Sequence, residues 1–364
     1  MFINKFKNPL KLVSLGFVFL TSIFSLQITQ AKETIKLTIV SGYPPAVSWV
    51  KATQKVYIPN VDTALAKTGN YKIFWNQAFS GQIVRPRGEL EGIENGLGDL
   101  GIVPTVFHAD KVPLYNFPFV TPFSTRDMDL VANTYVQLEK QFDQFSKTWN
   151  KFNQINLSPA GAVDNYMVFS RNPISTLSQM KGMKIGAAGP NLPWIKAVGA
   201  TGVNTSLTDM YMGLNTRLFD GVIMYGYAAG AFKLCEPASN VMDASIGATS
   251  GFSLNINKDV WASLPTEVKA ALRGATEAWR KEITKITEDG ATTQLALCKE
   301  KWGLKTTTLS KSDRTEWASM IPNLAKKLAN DLDAKGQPGT KVLSAYMNAL
   351  RSANQPIARD WDRE

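Results

Sequence analysis

Segments typical of β-strands alternate with segments typical of helices along most of this 364-residue chain. β-Branched and aromatic runs indicate strands, and amphipathic runs indicate helices. The predicted strands cover residues 34–40, 71–75, 100–103, 166–170 and 183–185, and the predicted helices cover residues 47–67, 90–96 and 128–149. This order predicts an α/β sandwich with a mostly parallel sheet, because parallel strands need a crossover helix between them.

The clearest helical pattern covers residues 266–302. Apolar side chains recur there at steps of three and four residues, Pro265 precedes the pattern and Gly303 follows it. A single helix of this length would span about 54 Å at 1.5 Å per residue. It would therefore cross two lobes of a domain pair. The alternative is two helices broken near Asp289 and Gly290, since glycine costs about 1 kcal/mol in a helix interior.

The N-terminus has the pattern of a secretory signal peptide. Lys5, Lys7 and Lys11 precede a mostly apolar run at residues 12–26, and small residues surround a cleavage position after Ala31. We therefore predict a signal peptide at residues 1–31 and an exported chain that begins at Lys32. A retained membrane anchor is the alternative, but the apolar run is shorter than the roughly 20 residues that a span needs. No later segment is apolar enough to cross a bilayer, so the exported protein is not expected to be membrane-embedded.

The charge pattern bears on possible partners. The formal net charge is +10, but the lysines and arginines are dispersed. Nucleic-acid-binding proteins concentrate such residues in a patch. We therefore expect no nucleic-acid partner. A basic surface could attract anionic solutes, although dispersed solvated lysines are the more common arrangement.

Cysteine and histidine are rare in the chain. Cys235, Cys298 and His108 are the only residues of these types. An exported protein permits a disulfide between the cysteines, and the sequence alone leaves its formation open. These three residues fall short of the four ligands of a structural zinc site.

Matches to catalytic motifs are weak. Ser48 and Lys51 form a Ser-x-x-Lys element, and residues 67–69 form a Lys-Thr-Gly element, both of which occur in penicillin-binding enzymes. They lie too close together, and no Ser-x-Asn element separates them. We therefore expect neither enzymatic activity nor a cofactor.

Residues 177–221 contain three motifs in a fixed order, which are LSQMKGMKIG at 177–186, VGATGVN at 198–204 and DMYMGLNTRLFDG at 209–221. They resemble the "Lys-Gly-Leu-Lys-Ile-Arg", "Leu-Gly-Ala" and "Val-Tyr-x-Ala-Leu-Gln-x-Gly-x-x-Asp-Gly" elements of the solute-binding proteins of TRAP transporters, the DctP family. Further elements similar to this family are GELEGIENGLGDL at 88–100, FPF at 117–119 and DVWASLP at 259–265. The agreement in order covers nearly the whole exported chain.

The resemblance implies a fold and a function. It implies a two-lobed α/β periplasmic solute-binding protein fold with hinge strands and a long lobe-spanning helix. We assign residues 32–163 plus 251–290 to lobe I and residues 164–250 plus 291–364 to lobe II. The family captures a small organic acid in the cleft between the lobes and delivers it to TRAP membrane permease subunits. The resemblance thus implies a periplasmic protein of transmembrane transport.

Departures from the family pattern indicate the kind of ligand. Gly186 stands where the family places its carboxylate-binding arginine, and Tyr166 stands at a second arginine position. Leu207 and Met224 occupy two further pocket positions that the resemblance implies. None of these four side chains carries a charge. We therefore predict a cleft that buries an aromatic or bulky apolar carboxylate rather than a C4-dicarboxylate.

Other residues are candidates for the same site. Asn191 follows a glycine-rich turn whose backbone N–H groups could hold a carboxylate, and Trp194 could stack on a ring. Tyr43 follows the first strand, where open α/β sheets bind ligands, and Tyr225 lies beside Met224. Each of these could instead be a packing residue of the core.

Three alternatives remain open at this level. Arg85 or Arg87 could supply a positive charge from lobe I, although solvated loop arginines are more common. A C4-dicarboxylate or a 2-keto acid could then bind through a relocated arginine. The protein could also present its ligand to a sensor kinase instead of a permease. The sequence leaves the exact ligand, a bridging metal ion and the oligomeric state undetermined.

Overall fold

Two mixed β-sheets flanked by helices form the framework of the protein. The computed structural model describes residues 32–159 and 162–364. The predicted signal peptide at residues 1–31 therefore lies outside the described residues. The described residues carry both sheets, and no helix among them is long and apolar enough to cross a membrane.

The first sheet has five strands in the order β2-β1-β3-β12-β4. Its strands are β1 (Glu33–Val40), β2 (Tyr71–Ala78), β3 (Leu100–Val103), β4 (Gln154–Pro159) and β12 (Ser253–Asn257). Strand β1 pairs in parallel with β2 and β3, and β12 is antiparallel to both β3 and β4. Strand β12 thus returns to this sheet from a distant part of the chain.

The second sheet has six strands in the order β13-β10-β6-β9-β7-β8. Its strands are β6 (Tyr166–Ser170), β7 (Lys184–Ala187), β8 (Thr201–Asn204), β9 (Gly221–Tyr225), β10 (Asn240–Asp243) and β13 (Lys305–Thr308). Strand β6 is antiparallel to β9 and to β10, whereas β7 is parallel to β8 and β9. A separate pair, β5 (Ala162–Val163) and β11 (Thr249–Ser250), is antiparallel.

Fifteen α-helices cover these sheets within the described residues. They are α1 (Ser48–Ala52), α2 (Ile58–Thr68), α3 (Glu89–Glu94), α4 (Phe117–Val120), α5 (Met128–Gln141), α6 (Gln144–Asn150), α7 (Leu192–Ala197), α8 (Met210–Asn215), α9 (Gly226–Ala231), α10 (Lys258–Ser263), α11 (Thr266–Gly274), α12 (Thr276–Trp302), α13 (Lys311–Met320), α14 (Leu324–Asp333) and α15 (Gly339–Ser352). A π-helical turn at Thr53–Tyr57 joins α1 to α2, and four short 3₁₀ turns lie in the loops.

The α/β class with two sheets agrees with the prediction, but both sheets are mixed, with two of four strand pairings parallel in the first and three of five in the second. Strand β12 enters the first sheet antiparallel to both of its neighbours, and β6 does the same in the second. Both strands belong to segments that pass from one sheet to the other, so they lack the local crossover helix that makes neighbours parallel. Each sheet with the segments that flank its strands is called one half of the chain below. The division into lobes at residues 163, 250 and 290 stays a prediction.

Two predicted long helices are interrupted. The predicted helix at 128–149 splits at Phe142, whose extended backbone brings its side chain against the core. The predicted helix at 266–302 is interrupted at Ala275, and α12 then runs without a break through Gly290. A Cβ at Gly290 would lie 2.4 Å from the Tyr227 ring. Glycine is therefore needed there for close packing, and its weak helix propensity does not end the helix.

Helix α12 connects the two sheet layers. Its 27 residues span about 40 Å, and it packs against both α1 and α9. Near its start, Trp279 Nε1 donates a hydrogen bond to Thr53 Oγ1 at 2.9 Å. Near its end, Cys298 forms a disulfide with Cys235. The helix is thus anchored to both halves of the chain, and the disulfide that the sequence left open is formed.

Candidate functional site

A cavity lies between the two sheets, at the carboxyl ends of several strands. Its lining residues are Tyr43, Trp49, Val106, Phe107, Phe119, Val163, Tyr166, Ala188, Asn191, Leu207, Ile223, Met224, Tyr225, Gly251 and Phe252. The cavity volume is about 30 Å³, well below the roughly 300 Å³ of small-molecule sites, so a ligand could enter only if the lining residues moved apart. Because the lining comes from both halves of the chain, a bound molecule would contact both.

The sheet geometry explains why three of these residues face one another. Tyr43 comes three residues after the end of β1. Tyr166 begins β6 and pairs in register with Tyr225 at the end of β9, and their ring centroids are 5.7 Å apart. Tyr43 thus reaches the cavity from a strand end of the first sheet, and Tyr166 and Tyr225 reach it from strand ends of the second; the ends of strands are the usual location of ligands in open α/β folds.

Six of the eight predicted site residues line this one cavity, namely Tyr43, Tyr166, Asn191, Leu207, Met224 and Tyr225. They come from both halves of the chain and lie up to 182 positions apart in the sequence. The structure therefore brings most of the predicted set together. Their role in ligand binding stays a prediction.

Trp194 lies behind the cavity wall instead of lining it. Its Nε1 donates a hydrogen bond to the Phe119 carbonyl at 2.9 Å. Its ring is fully buried and packs edge-on against Tyr166 at 5.5 Å. In this arrangement Trp194 positions the lining residues Phe119 and Tyr166, and its ring is not open for stacking on a ligand.

Gly186 also lies outside the lining, on strand β7 between β9 and β8 of the second sheet. A Cβ built there would lie 2.9 Å from the ring of Phe219, and a Cβ at Gly213 would lie 2.0 Å from the same ring. Phe219 is buried between these two glycines. The ring occupies the space that an arginine side chain would need to leave the strand, which gives the missing family arginine a physical reason.

Several lining residues were not in the predicted set. Trp49 stacks on Phe252 with a centroid distance of 3.9 Å and meets Tyr43 edge-on at 5.5 Å. The apolar side chains of Phe107 and Phe119 complete the aromatic wall. In the sequence these residues have no local signal that separates them from core aromatics. Only the pairing of β12 and its flanking loop with the first sheet brings Phe252 to Trp49.

The lining is electrically neutral, but two buried carboxyl groups border it. Among the residues that the structure describes, the lining contains no lysine, arginine, histidine, aspartate or glutamate. Glu89 accepts a hydrogen bond from Gly42 N at 2.9 Å, and Asp164 accepts one from Tyr227 N at 3.2 Å. Burial raises the pKa of each carboxyl to about 7. At alkaline pH these two carboxylates would therefore repel an anion inside the cavity.

Hydrogen-bond donors in the lining are left without acceptors. Tyr43 Oη, Trp49 Nε1 and Asn191 Nδ2 are buried and have no partner within the described part of the chain. Asn191 lies close enough to Tyr166 Oη to lower that hydroxyl's pKa, but its Nδ2 has no acceptor in hydrogen-bonding geometry. Burial, the dominant effect, raises the pKa values of Tyr43 and Tyr166. Both hydroxyls therefore stay protonated near neutral pH and can donate to an oxygen of a ligand.

The raised pKa of Glu89 predicts a pH-dependent stability. A carboxyl that titrates near 7 when folded and near 4.5 when unfolded binds its proton more tightly in the folded state. Its stabilisation is complete below pH 4.5 and is lost as the pH rises through 7. Between pH 4 and pH 8 the unfolding free energy of the wild type should fall because Glu89 ionises. In Glu89→Gln this fall should be smaller by about 3 kcal/mol. Urea unfolding at both pH values measures this difference.

The exposed Glu33 provides the control for this prediction. Glu33→Gln should keep the wild-type pH dependence, because removing a solvated carboxyl leaves Glu89 unchanged. Equal pH dependence in the wild type and in Glu89→Gln would contradict the assignment of a raised pKa to Glu89.

A metal centre is not evident at the cavity or elsewhere in the described residues. No group of three or more His, Cys, Asp and Glu side chains there is arranged to hold an ion. The chemistry that the lining offers is burial of an apolar body together with neutral hydrogen-bond donors.

Solved structures with this fold are solute receptors. A TRAP solute-binding protein from Rhodoferax ferrireducens, in complex with copurified benzoate, is 13% identical and has a TM-score of 0.76, with 88% of this chain and 98% of that chain covered. A TRAP periplasmic solute-binding protein from Bordetella bronchiseptica, with bound (R)- and (S)-mandelate, is 17% identical with a TM-score of 0.74, covering 88% and 99%. At these identities the likeness establishes the fold.

A third similar structure and a family comparison complete the assignment. A TRAP periplasmic solute-binding protein from Desulfovibrio salexigens is 18% identical, with a TM-score of 0.73 and coverage of 87% and 96%. No curated protein sequence matches the chain. The model of the bacterial extracellular solute-binding proteins, family 7 (DctP), matches residues 64–331. Because this match covers most of the chain, the protein belongs to the DctP family of extracellular solute-binding receptors.

Proposed function

We propose that this protein is the periplasmic receptor of a TRAP transporter for a small organic acid with an aromatic or otherwise bulky apolar body. The observation that carries the proposal is the cavity between the sheets, whose lining is apolar and aromatic and contains no charged side chain. The similar structures that hold benzoate and mandelate support this ligand class. The receptor would release its ligand to the membrane permease subunits.

Estimates of the binding free energy favour a ligand with one carboxylate and one ring over a ligand with two carboxylates. Burying about 150 Å² of a ring contributes about 4 kcal/mol at roughly 25 cal/mol per Å². One carboxylate can be matched by donors that lack acceptors in the described part of the chain, which lie in the lining on Tyr43 and Asn191 and beside it on Arg87. A second buried carboxylate without a cation costs several kcal/mol and brings no ring to offset it.

Capture follows from the position of the cavity. Its lining comes from both halves of the chain, so a ligand binds more tightly when the halves are closed than when they are apart. This difference in affinity shifts the population toward the closed form. Closure also excludes water, which strengthens the polar contacts to the ligand. The closed surface is then the form that a permease would recognise.

Export is part of the same proposal. The buried disulfide between Cys235 and Cys298 is typical of an oxidising compartment such as the periplasm. It supports the signal peptide predicted at residues 1–31, and we place the working protein outside the cytoplasmic membrane.

A thermal-shift screen of the chain from Lys32 to Glu364 tests the ligand class. We expect benzoate or mandelate at 100 times its dissociation constant to stabilise the protein by about 2.7 kcal/mol. For a chain of this size that corresponds to a rise of about 4 °C in melting temperature. Succinate and 2-oxoglutarate should leave the melting temperature unchanged. A shift with these two acids alone would replace the proposal with the dicarboxylate or keto-acid alternative.

A further inference from the structure

Arg87 lies at the mouth of the cavity. An outer groove of about 590 Å³ opens beside the cavity and shares Val106, Phe107 and Phe119 with it. Arg87 lines this groove but not the cavity itself. The shared residues therefore form the boundary between an apolar interior and a wider, more polar entrance.

The guanidinium of Arg87 connects the two halves of the chain. Its Nη2 donates a hydrogen bond to the Thr205 carbonyl at 2.9 Å, and Thr205 follows β8 of the second sheet. Its Cζ lies 4.4 Å from the ring centroid of Phe107, in the first half of the chain. The contact thus joins both sides of the cavity above one of its lining residues.

Arg87 also retains free binding capacity and an unusual backbone. Its Nε is buried and has no acceptor within the described residues. Its φ of 72° lies in the left-handed region, which is uncommon for a residue other than glycine. Strained backbone of this kind persists where the surrounding structure holds a functional side chain in place. Arg87 therefore has an unused hydrogen-bond donor, and its backbone conformation fixes the orientation of its side chain.

The charges around the cavity favour one orientation of an acid. Glu89 and Asp164 are buried beside the interior, and each has a carboxyl oxygen without a hydrogen-bond partner in the part of the chain that the structure describes. Above pH 7, where both carboxyls are ionised, a carboxylate placed among them would be repelled, whereas at the mouth it would meet a guanidinium. The apolar part of the same molecule matches the aromatic lining of the interior.

We propose that Arg87 binds the carboxylate of the ligand at the mouth of the cavity and, through Thr205, holds the two halves closed over it. This inference rests on the proposed function, since it assumes an acid with an apolar body. It assigns the carboxylate-binding role to a residue on the first half of the chain, far from Gly186. Tyr43 and Asn191 then bind polar groups on the body of the ligand.

Isothermal titration of benzoate and of its neutral analogue benzamide tests the inference. We expect Arg87→Gln to weaken benzoate binding 10- to 100-fold, as the loss of a charge-assisted hydrogen bond predicts. Benzamide affinity should change less than threefold. Arg85→Gln is the matched control, because Arg85 lies two residues away, carries the same charge and is exposed. It should change neither affinity, and equal benzoate affinity in Arg87→Gln and Arg85→Gln would overturn the inference.

A second measurement separates this inference from the proposed function. Spin labels on cysteines introduced at the exposed Lys72 and Lys196 report the distance between the two sheets. In the unliganded protein, Arg87→Gln should shift the distribution toward longer distances, while Arg85→Gln should not. If the wild type binds neither benzoate nor benzamide, the aromatic-acid proposal fails, and the spin-label distances still test the closing role of Arg87. Unchanged distances in Arg87→Gln would overturn that role.

Discussion

Restoring the family arginine with Gly186→Arg should destabilise the protein by about 5 kcal/mol. The Cβ of any side chain at this position would lie 2.9 Å from the Phe219 ring. Overpacking of this kind costs roughly 1 to 3 kcal/mol, and an unpaired guanidinium in a buried strand adds several more. For a chain of this size the melting temperature should fall by about 7 °C. Differential scanning calorimetry of the exported chain measures it.

Two variants separate the sources of this loss. Lys184→Arg places the same guanidinium at an exposed position on the same strand and should leave stability unchanged. Gly186→Ala adds only the Cβ and should cost a fraction of the full effect, because Phe219 is confined by Gly213 on its other side. If Gly186→Arg kept wild-type stability and gained succinate binding, the side chain would have reached the cavity. The explanation of the missing arginine by Phe219 would then be wrong.

The sequence predicted five of the thirteen strands in the described residues, namely β1, β2, β3, β6 and β7, because the signal of these strands is local. The run at 100–103 coincides with β3, and the predicted strand at 166–170 coincides with β6. Runs rich in β-branched and aromatic residues, bounded by turn residues, contain the information within a few positions. Whether two strands pair in parallel or antiparallel depends on residues far apart in the sequence. The sequence therefore did not predict that both sheets are mixed.

Helix propensity alone does not decide whether a glycine interrupts a helix. Helix propensity predicts a break wherever glycine occurs, and by that measure Gly290 is as good a breaking point as Gly274. The chain continues through Gly290 because the Tyr227 ring packs against its backbone. Tyr227 is 63 residues away in the sequence, so the contact exists only in the folded protein.

The residues of the candidate site also fall into those that the sequence could predict and those that it could not. Tyr43 was accessible to prediction because it follows the first strand, where open α/β sheets bind ligands, whereas Tyr166 and Tyr225 followed from the resemblance to the family. Phe107 and Phe252 were not, since a buried aromatic at a cavity has the same sequence signature as one in the core. Arg87 could be suggested only as one of two loop arginines. Its contacts with Thr205 and Phe107 distinguish it from Arg85.

Removal of the disulfide is the second change with a large expected effect. Cys235 precedes β10 of the second sheet, and Cys298 lies near the end of α12. The bond closes a loop with a sequence separation of 63 residues. In the chain-entropy account, a loop of this length stabilises the folded state by about 4 kcal/mol, because it restricts the unfolded chain. We expect Cys235→Ala/Cys298→Ala to lower the melting temperature by about 6 °C.

The double alanine variant is the informative one. Both sulfur atoms are buried, so a single substitution would leave a free thiol in the core, whereas the pair leaves two small apolar side chains. Ligand affinity should stay within threefold of the wild type, since neither cysteine lines the cavity. The expected loss concerns the unfolded chain, so a reductant should not alter the native protein until it unfolds. A double variant within 1 kcal/mol of the wild type would contradict the chain-entropy account of this disulfide.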